Sequence, residues 1–285
     1  MTKISFMSDL HIDSNQWGTF ETETLLTLLK EEKIDHLHLA GDISNHYKEI
    51  SLPFLEELKQ EIDLTWNLGN HDMLDLSEEE IKSLQFLVKD LDNHLLLSFD
   101  GWYDYAFLPQ IPQEVHEKNK RNYWFDRRIE RPASDPMIMQ EILQQLEKHL
   151  KVSKKEIIVA MHFVPHSDYT LKHPYFERFN AFLGSPHFHE LFRKYPVKEV
   201  VFGHTHHRFP TQIIDGITYH CRPLGYQREW ELIRNFLKIY PHYQIDKPYQ
   251  LHKQFAAIRD QEEFIHYRKD HLKDEFRRAL TIIEG

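Results

Sequence analysis

The sequence predicts an α/β domain, and three observations carry that reading. Short apolar runs recur along the first two hundred or so residues, amphipathic stretches alternate with them, and five of the runs end in a polar block. The runs are Lys3 to Met7, Leu37 to Ala40, Leu64 to Leu68, Ile157 to Met161 and Val200 to Phe202, each read as a buried strand. The blocks that end them are Asp9-Leu10-His11, Gly41-Asp42, Gly69-Asn70-His71-Asp72, His162 and Gly203-His204-Thr205-His206.

Between the runs lie the predicted helices. Glu21 to Glu32 has leucines at 25, 26, 28 and 29 with charges on its other side, and Glu49 to Glu61 and Ser77 to Asp90 read the same way. Ser77 with Glu80 forms a capping box, in which hydroxyl and carboxylate each satisfy a free backbone N–H. Asp135 to Lys151 is a further helix, and Pro136 in its first turn needs no N–H partner. Thr211 to Ile214 and Ile217 to Cys221 flank Asp215-Gly216, a pair suited to a tight hairpin turn. Residues 227–285 turn charged and aromatic, with Phe255 to Ile283 largely helical. No linker separates this tail from the rest, so the chain reads as one domain, 1–285, with a core of about 1–226 and a C-terminal extension of about 227–285.

Composition narrows the class. A hydrophobic content of 41% with 13% aromatics is enough for a real core and argues against global disorder. The net charge of -10, from 35 basic against 45 acidic residues, argues against a general nucleic-acid-coating protein, which must neutralise phosphates. No apolar run reaches the length of a membrane span and no secretory leader is visible. The single Cys221 forms no internal disulfide, which suits a reducing compartment, so the expected location is cytoplasmic.

The polar blocks carry the chemistry. Carboxylate, imidazole and carboxamide groups on loops at one sheet edge form a metal cage of mixed N and O donors, suited to Mn, Fe or Zn. Singly, each block has a plainer reading: Asp9 or Asp42 as a helix cap, Gly41-Asp42 as a turn, His162 as a packed histidine. Their joint occurrence at five strand ends outweighs those readings. Two cations about 3.5–4 Å apart acidify a water between them and clamp the oxygens of an in-line displacement at phosphorus. Cations that close together need a bridging anion, for which a carboxylate is the natural choice.

In this order and strand context the blocks resemble the signature of the calcineurin-like metallophosphoesterases: D-x-H, G-D, G-N-H-D/E, a lone H, then G-H-x-H. The resemblance covers about residues 3–226. It implies two stacked mixed β-sheets flanked by helices, an αββα sandwich of the metallo-dependent phosphatase type, here with a helical C-terminal extension. It further implies that Asp9, His11 and His206 hold one metal ion, that Asn70, His162 and His204 hold a second, and that Asp42 bridges the two. The ions would be Mn2+, Fe2+/Fe3+ or Zn2+. His71 would stabilise the transition state or protonate the leaving oxygen, with Asp72 as its orienting partner.

Departures from sub-patterns narrow the family. The G-D-x-V-D-R-G of protein serine/threonine phosphatases is absent, because Asp42 is followed by Ile43-Ser44-Asn45-His46 with no arginine. Ile43-Ser44 also differs from the aromatic-acid pair of the repair nucleases, and although Tyr47 lies near the place of the purple acid phosphatases' metal-binding tyrosine, the last block, Gly203 to His206, lacks their flanking pattern. Gly101 to Asp104 and Pro223 to Tyr226 resemble segments of the broad bacterial phosphodiesterase and phosphatase group. The expected activity is hydrolysis of a small phosphodiester or phosphomonoester, with a nucleotide-derived diester ahead. The alternatives are a nucleotidase, a nuclease, or a non-catalytic scaffold retaining the fold. Trp102 to Arg131 interleaves aromatics and cations, read first as packing and second as a base-stacking surface. The histidines at 166, 173, 187 and 189 lack a tight ligand spacing. Arg208 and Arg222 are the expected phosphate contacts, and the charged tail is the expected surface for any self-association.

Overall fold

The computed structural model describes residues 2–284 and has two mixed sheets between helical layers. In chain order the elements are β1 (Lys3–Met7), α1 (Thr19–Glu31), β2 (His36–Ala40), α2 (Leu52–Leu58), β3 (Asp63–Asn67), α3 (Glu78–Leu84), β4 (Phe86–Leu91) and β5 (His94–Phe99). Then come α4 (Gln113–Tyr123), α5 (Asp135–Val152), β6 (Glu156–Met161), α6 (His187–Phe192), β7 (Val197–Phe202), β8 (Gln212–Ile214) and β9 (Ile217–Cys221). The chain ends with α7 (Glu231–Ile239), α8 (Leu251–Ile258), α9 (Glu262–Ala279) and β10 (Thr281–Glu284). One sheet runs β10-β1-β2-β3, the other β4-β5-β6-β7-β9-β8. The central strands are parallel, and β10, β4 and β8 are antiparallel edges.

Period-two alternation puts apolar side chains on both faces of each sheet. Ile4 and Phe6 of β1 meet Leu96, Ile158, Ala160 and Val201 of the second sheet in one buried cluster, which is the contact between the layers. Met7, Leu37, Leu39, Ile157 and Val159 point the other way, into the cores shared with the helices. The layer order is the expected αββα sandwich.

Toward β3 the inter-sheet face is polar but closed by hydrogen bonds. His38 reaches Thr65 Oγ1 at 2.8 Å through Nδ1 and Asn67 Oδ1 at 2.9 Å through Nε2, and His36 Nε2 reaches the same threonine at 2.8 Å. Burial pushes the His38 imidazole down to about 3, so it stays neutral in the folded chain. The unfolded chain binds that proton near pH 6.5. The stabilisation is therefore complete above pH 6.5 and is lost as pH falls toward 3, by about 2 kcal/mol at pH 5. Urea melts between pH 7.5 and 4.5 check this, with His38→Phe expected to flatten the slope even though its midpoint is lower.

Several elements differ from the sequence expectation. The helix expected over Ser77 to Asp90 ends at Leu84, with its Ser77–Glu80 capping box in place. Phe86–Leu91 is instead a strand pairing with β5 around Asp92, whose φ is +39°. Its pairing partner, β5, lies outside the Ser77 to Asp90 segment, so the periodicity of that segment carries no sign of the pairing. The expected helix over Glu49 to Glu61 is a π-helical turn at Tyr47–Ser51 followed by the short α2. The Asp215-Gly216 hairpin is present, both residues having positive φ, +50° and +80°.

The tail is built into the domain. The helix expected to run from Phe255 to Ile283 is divided into α8 and α9, and Thr281–Glu284 adds β10 to the edge of β1. Trp17 stacks on Phe276 with centroids 4.9 Å apart, and Arg268 pairs with Glu21 at 2.7 Å, tying α9 to α1. Buried Glu275 accepts Leu232 N at 2.8 Å and Arg208 Nη2 at 2.6 Å. No helix among the described residues is long and apolar enough to cross a membrane.

Candidate metal centre

The five polar blocks meet at the C-terminal ends of β1, β2, β3, β6 and β7. Backbone bonds lock the turns together: Asp9 N to Gly41 O and His11 N to Asp42 O, both 3.0 Å, and Gly203 N to His162 O at 3.1 Å. Five of the candidate ligands have a left-handed backbone: Asp9 at +58°, His11 at +43°, Asp42 at +55°, His204 at +69° and His206 at +51°. Such φ values cost non-glycine residues energy, and here they turn each side chain sharply inward from its strand end. Two glycines make the close approach feasible. A Cβ at Gly69 would stand 2.2 Å from Asp42 Oδ1, and one at Gly203 would stand 2.2 Å from Asp9 Oδ2.

Two donor groups result, and they share one carboxylate. Asp9, His11, Asp42 and His206 bring ligand atoms within 4.8 Å of one another, and Asp42, His162 and His204 do the same. Asn70 joins the second group, its Oδ1 3.2 Å from His162 Nε2. Asp42 Oδ1 accepts His71 N at 2.9 Å. Its Oδ2 is buried without a hydrogen-bond partner, yet His162 Nε2 at 3.3 Å, His11 Nε2 at 3.7 Å and His71 Nε2 at 3.9 Å surround it. An orphaned carboxylate oxygen ringed by imidazole nitrogens fits a bound cation.

The outward nitrogens of three candidate ligands are held by acceptors, which fixes the nitrogen that faces the cage. His162 Nδ1 donates to Ala40 O at 3.1 Å, His204 Nε2 to Phe182 O at 3.3 Å, and His206 Nδ1 to Glu229 Oε2 at 3.0 Å. His11 Nδ1 is the exception, buried with no partner. Asn70 is aimed the same way: its Nδ2 donates to Asp126 Oδ1 at 2.7 Å, so its Oδ1 must face His162. Asp126 is itself pinned by Trp124 Nε1 at 3.0 Å. Glu229 and Asp126 carry no sequence signal, because they lie 23 and 56 residues from the side chains they hold. Asp126→Asn can turn its amide toward Asn70 and release this aim, so affinity for the second cation should fall about 10- to 100-fold. Metal titration by calorimetry reads that loss directly.

The charges are strongly coupled. Burial alone would raise the Asp42 carboxyl, but the His162, His71 and His11 imidazoles outweigh it and hold it well below the usual range. Burial likewise works against charge on His162 and His206, and the carboxylates overcome it. Asp42 and Asp9 lift His162 to about 9, and Asp9 with Glu229 lifts His206 to about 10.

Two expectations are corrected by the geometry. Asp72 is not the partner of the His71 ring: its carboxylate accepts Ile43 N, Ser44 N and Gly69 N at 3.0, 3.1 and 2.8 Å, clamping two of the turns. The ring instead meets Asn45 Oδ1 through Nδ1 at 2.9 Å. Asn45 is oriented by Asp13, which accepts its Nδ2 at 2.7 Å. Arg208 and Arg222 are engaged by other groups of the protein. Arg208 pairs with Glu275 of the tail and donates to Pro223 O, and Arg222 donates to Arg278 O of the tail. The aromatics of the insert pack within the protein, some in the core and some against the site histidines. Trp102, Tyr103 and Tyr105 are buried, whereas Phe125 stacks on His71 at 3.6 Å and Trp124 meets His204 at 6.0 Å.

The chain matches the sequence model of the calcineurin-like phosphoesterases over residues 2–208. No curated protein matches it in sequence. Among solved structures it resembles phosphopantetheinyl hydrolase from Mycobacterium tuberculosis at 18% identity and a TM-score of 0.63, over 80% of this chain and 91% of that one. It also resembles a dimetal phosphatase from Danio rerio at 13% identity and a TM-score of 0.52, over 78% and 87% of the two chains. At these identities the likeness is one of fold.

Proposed function

The chain belongs to the calcineurin-like phosphoesterase family, hydrolases of phosphoester bonds, and on that premise we propose that it cleaves a small phosphoester by in-line attack at a two-cation centre bridged by Asp42. The observation that carries this reading is the one carboxylate common to both donor groups. Cations bound there supply charge neutralisation at the phosphoryl oxygens and an acidified water as nucleophile.

The protein's own part follows from its side chains. Asp9, His11 and His206 bind on one side of Asp42, and Asn70, His162 and His204 on the other; mixed N/O donors without thiolate favour Mn2+, Fe2+/Fe3+ or Zn2+. Asn45 accepts the Nδ1 proton of His71, so Nε2 is the nitrogen turned inward toward Asp42. In its imidazolium form, with Nε2 protonated as well as Nδ1, His71 would stabilise charge on the transition state or give the Nε2 proton to the leaving oxygen and return to the neutral ring. A nucleotide-derived diester is the leading substrate class, with a monoester second.

Hydrolysis of p-nitrophenyl phosphate and bis-p-nitrophenyl phosphate, with added Mn2+ and after chelation, tests the reading and ranks the two ester classes. Turnover of neither ester across Mn2+, Fe2+ and Zn2+ would point to a scaffold that keeps the fold. His71→Gln should lower kcat about 100-fold while the protein retains its metal. Asn45→Ala should lower kcat about tenfold, again with metal content unchanged, whereas an orienting role for Asp72 predicts no effect at Asn45.

A further inference from the structure

Around the cage a second arrangement recurs that the candidate ligands do not use. Phe125 lies parallel to His71, and the Arg128 guanidinium sits over the Phe125 ring, 5.0 Å from its centroid. Tyr226 lies parallel to His11 with centroids 4.3 Å apart, and the Arg228 guanidinium sits 4.0 Å over the Tyr226 ring. On the third side Trp124, edge-on to His204, stacks on Phe179 at 5.5 Å, and Arg178 sits 4.8 Å over Phe179. In each case an aromatic ring covers a cage histidine or its neighbour, and a guanidinium lies over the outer aromatic.

These arginines differ from most others in the chain. Arg131, Arg208 and Arg268 are neutralised by Glu78, Glu275 and Glu21 at 2.6–2.7 Å. Among the described residues Arg128 and Arg178 have no carboxylate within ion-pair distance, and Arg228 reaches only Glu229, at 3.8 Å. Arg128 and Arg178 are exposed and Arg228 is half-exposed. In a chain of net charge -10, three arginines without a close carboxylate around one site call for an anion. A guanidinium resting on a ring keeps its N–H edge free and loses little freedom on meeting phosphate. The intervening ring also holds each one back from the metal ligands, so its reach is to a group beyond the phosphoryl being cleaved.

We propose that Arg128, Arg178 and Arg228 offer anion contacts around the rim of the cage, and that the substrate is a phosphoester carrying a second phosphoryl group beyond the one cleaved. The proposal rests on the hydrolase reading, and its test is a binding measurement that requires no turnover. The probes are butylphosphonate and butane-1,4-bisphosphonate, which present one and two phosphoryl groups on the same chain and are not hydrolysed. Calorimetry on the full-length Mn2+-loaded protein should show the bisphosphonate binding at least about tenfold tighter. That preference should shrink as NaCl is raised from about 50 to 300 mM. Each of Arg128→Gln, Arg178→Gln and Arg228→Gln should cut the preference about threefold, and the triple variant should erase it, while Arg→Lys keeps part of it. Thermal melts confirm that the variants are folded.

Equal affinity of the wild type for the two probes, or a triple variant that keeps the preference, would overturn the proposal. Turnover of p-nitrophenyl phosphate measured in parallel reports on the hydrolase reading alone, so the two can fail separately.

Discussion

Asp42→Asn should abolish hydrolysis, with kcat down at least about 1000-fold and bound metal reduced below one ion per chain. The carboxamide has the shape of the carboxylate, and its oxygen can still accept His71 N, so the turn holding Asp42 is kept. What changes is the other atom. Oδ2 is the buried, unpaired oxygen facing His11, His162 and His71, and an amide nitrogen there offers neither charge nor a lone pair to a cation. The variant should therefore fold with a normal circular dichroism spectrum. It should lose the rise in Tm that Mn2+ gives the wild type, since that rise reports binding to the native state. Metal analysis, melts with and without Mn2+, and initial rates check the three parts.

Gly203→Ala should be nearly as damaging, for a reason of space. Its Cβ would lie 2.2 Å from Asp9 Oδ2 and 2.5 Å from Ser8 Oγ, and Asp9 is held in turn by His204 N at 3.0 Å. Either Asp9 swings away or the end of β7 retreats with His204 and His206, so both donor groups are disturbed. Stability should fall by about 2 kcal/mol and affinity for the first cation by about 100-fold. Gly216→Ala is the matched control. The space around it is open, its φ of +80° is the sole obstacle, and it should cost about 1 kcal/mol with kcat unaltered. Denaturant melts and metal titrations on the pair separate crowding at the site from ordinary backbone strain.

The contrast between these positions and the residues that support them explains what could be read in advance. The expected ligands sit at the ends of apolar runs, and a strand end is a local property: the apolar run Lys3 to Met7 is β1, and Asp9 and His11 follow it. The groups that aim those ligands are set by tertiary proximity. Asp126 reaches Asn70 across 56 residues, and Asn45 reaches His71 across 26, so no spacing rule ties them together. Asp72 shows the same limit from the other side. Adjacent to His71 in sequence, it is turned by the local 3-10 turn onto the amides of Ile43, Ser44 and Gly69. Edge strands were lost for a related reason, since β4 and β10 are strands by virtue of β5 and β1 rather than of their own periodicity. The partners of Arg208 and Arg222, Glu275 and Arg278 O, lie 67 and 56 residues further along the chain and are equally out of reach of a local pattern.

Titrating metal-free protein with Mn2+, while following bound metal and hydrolysis of p-nitrophenyl esters in the same samples, tests the two-cation cage most directly. The shared Asp42 carboxylate predicts saturation at two ions per chain, with activity appearing only as the second binds. Saturation at one ion, or activity that survives complete chelation, would contradict it.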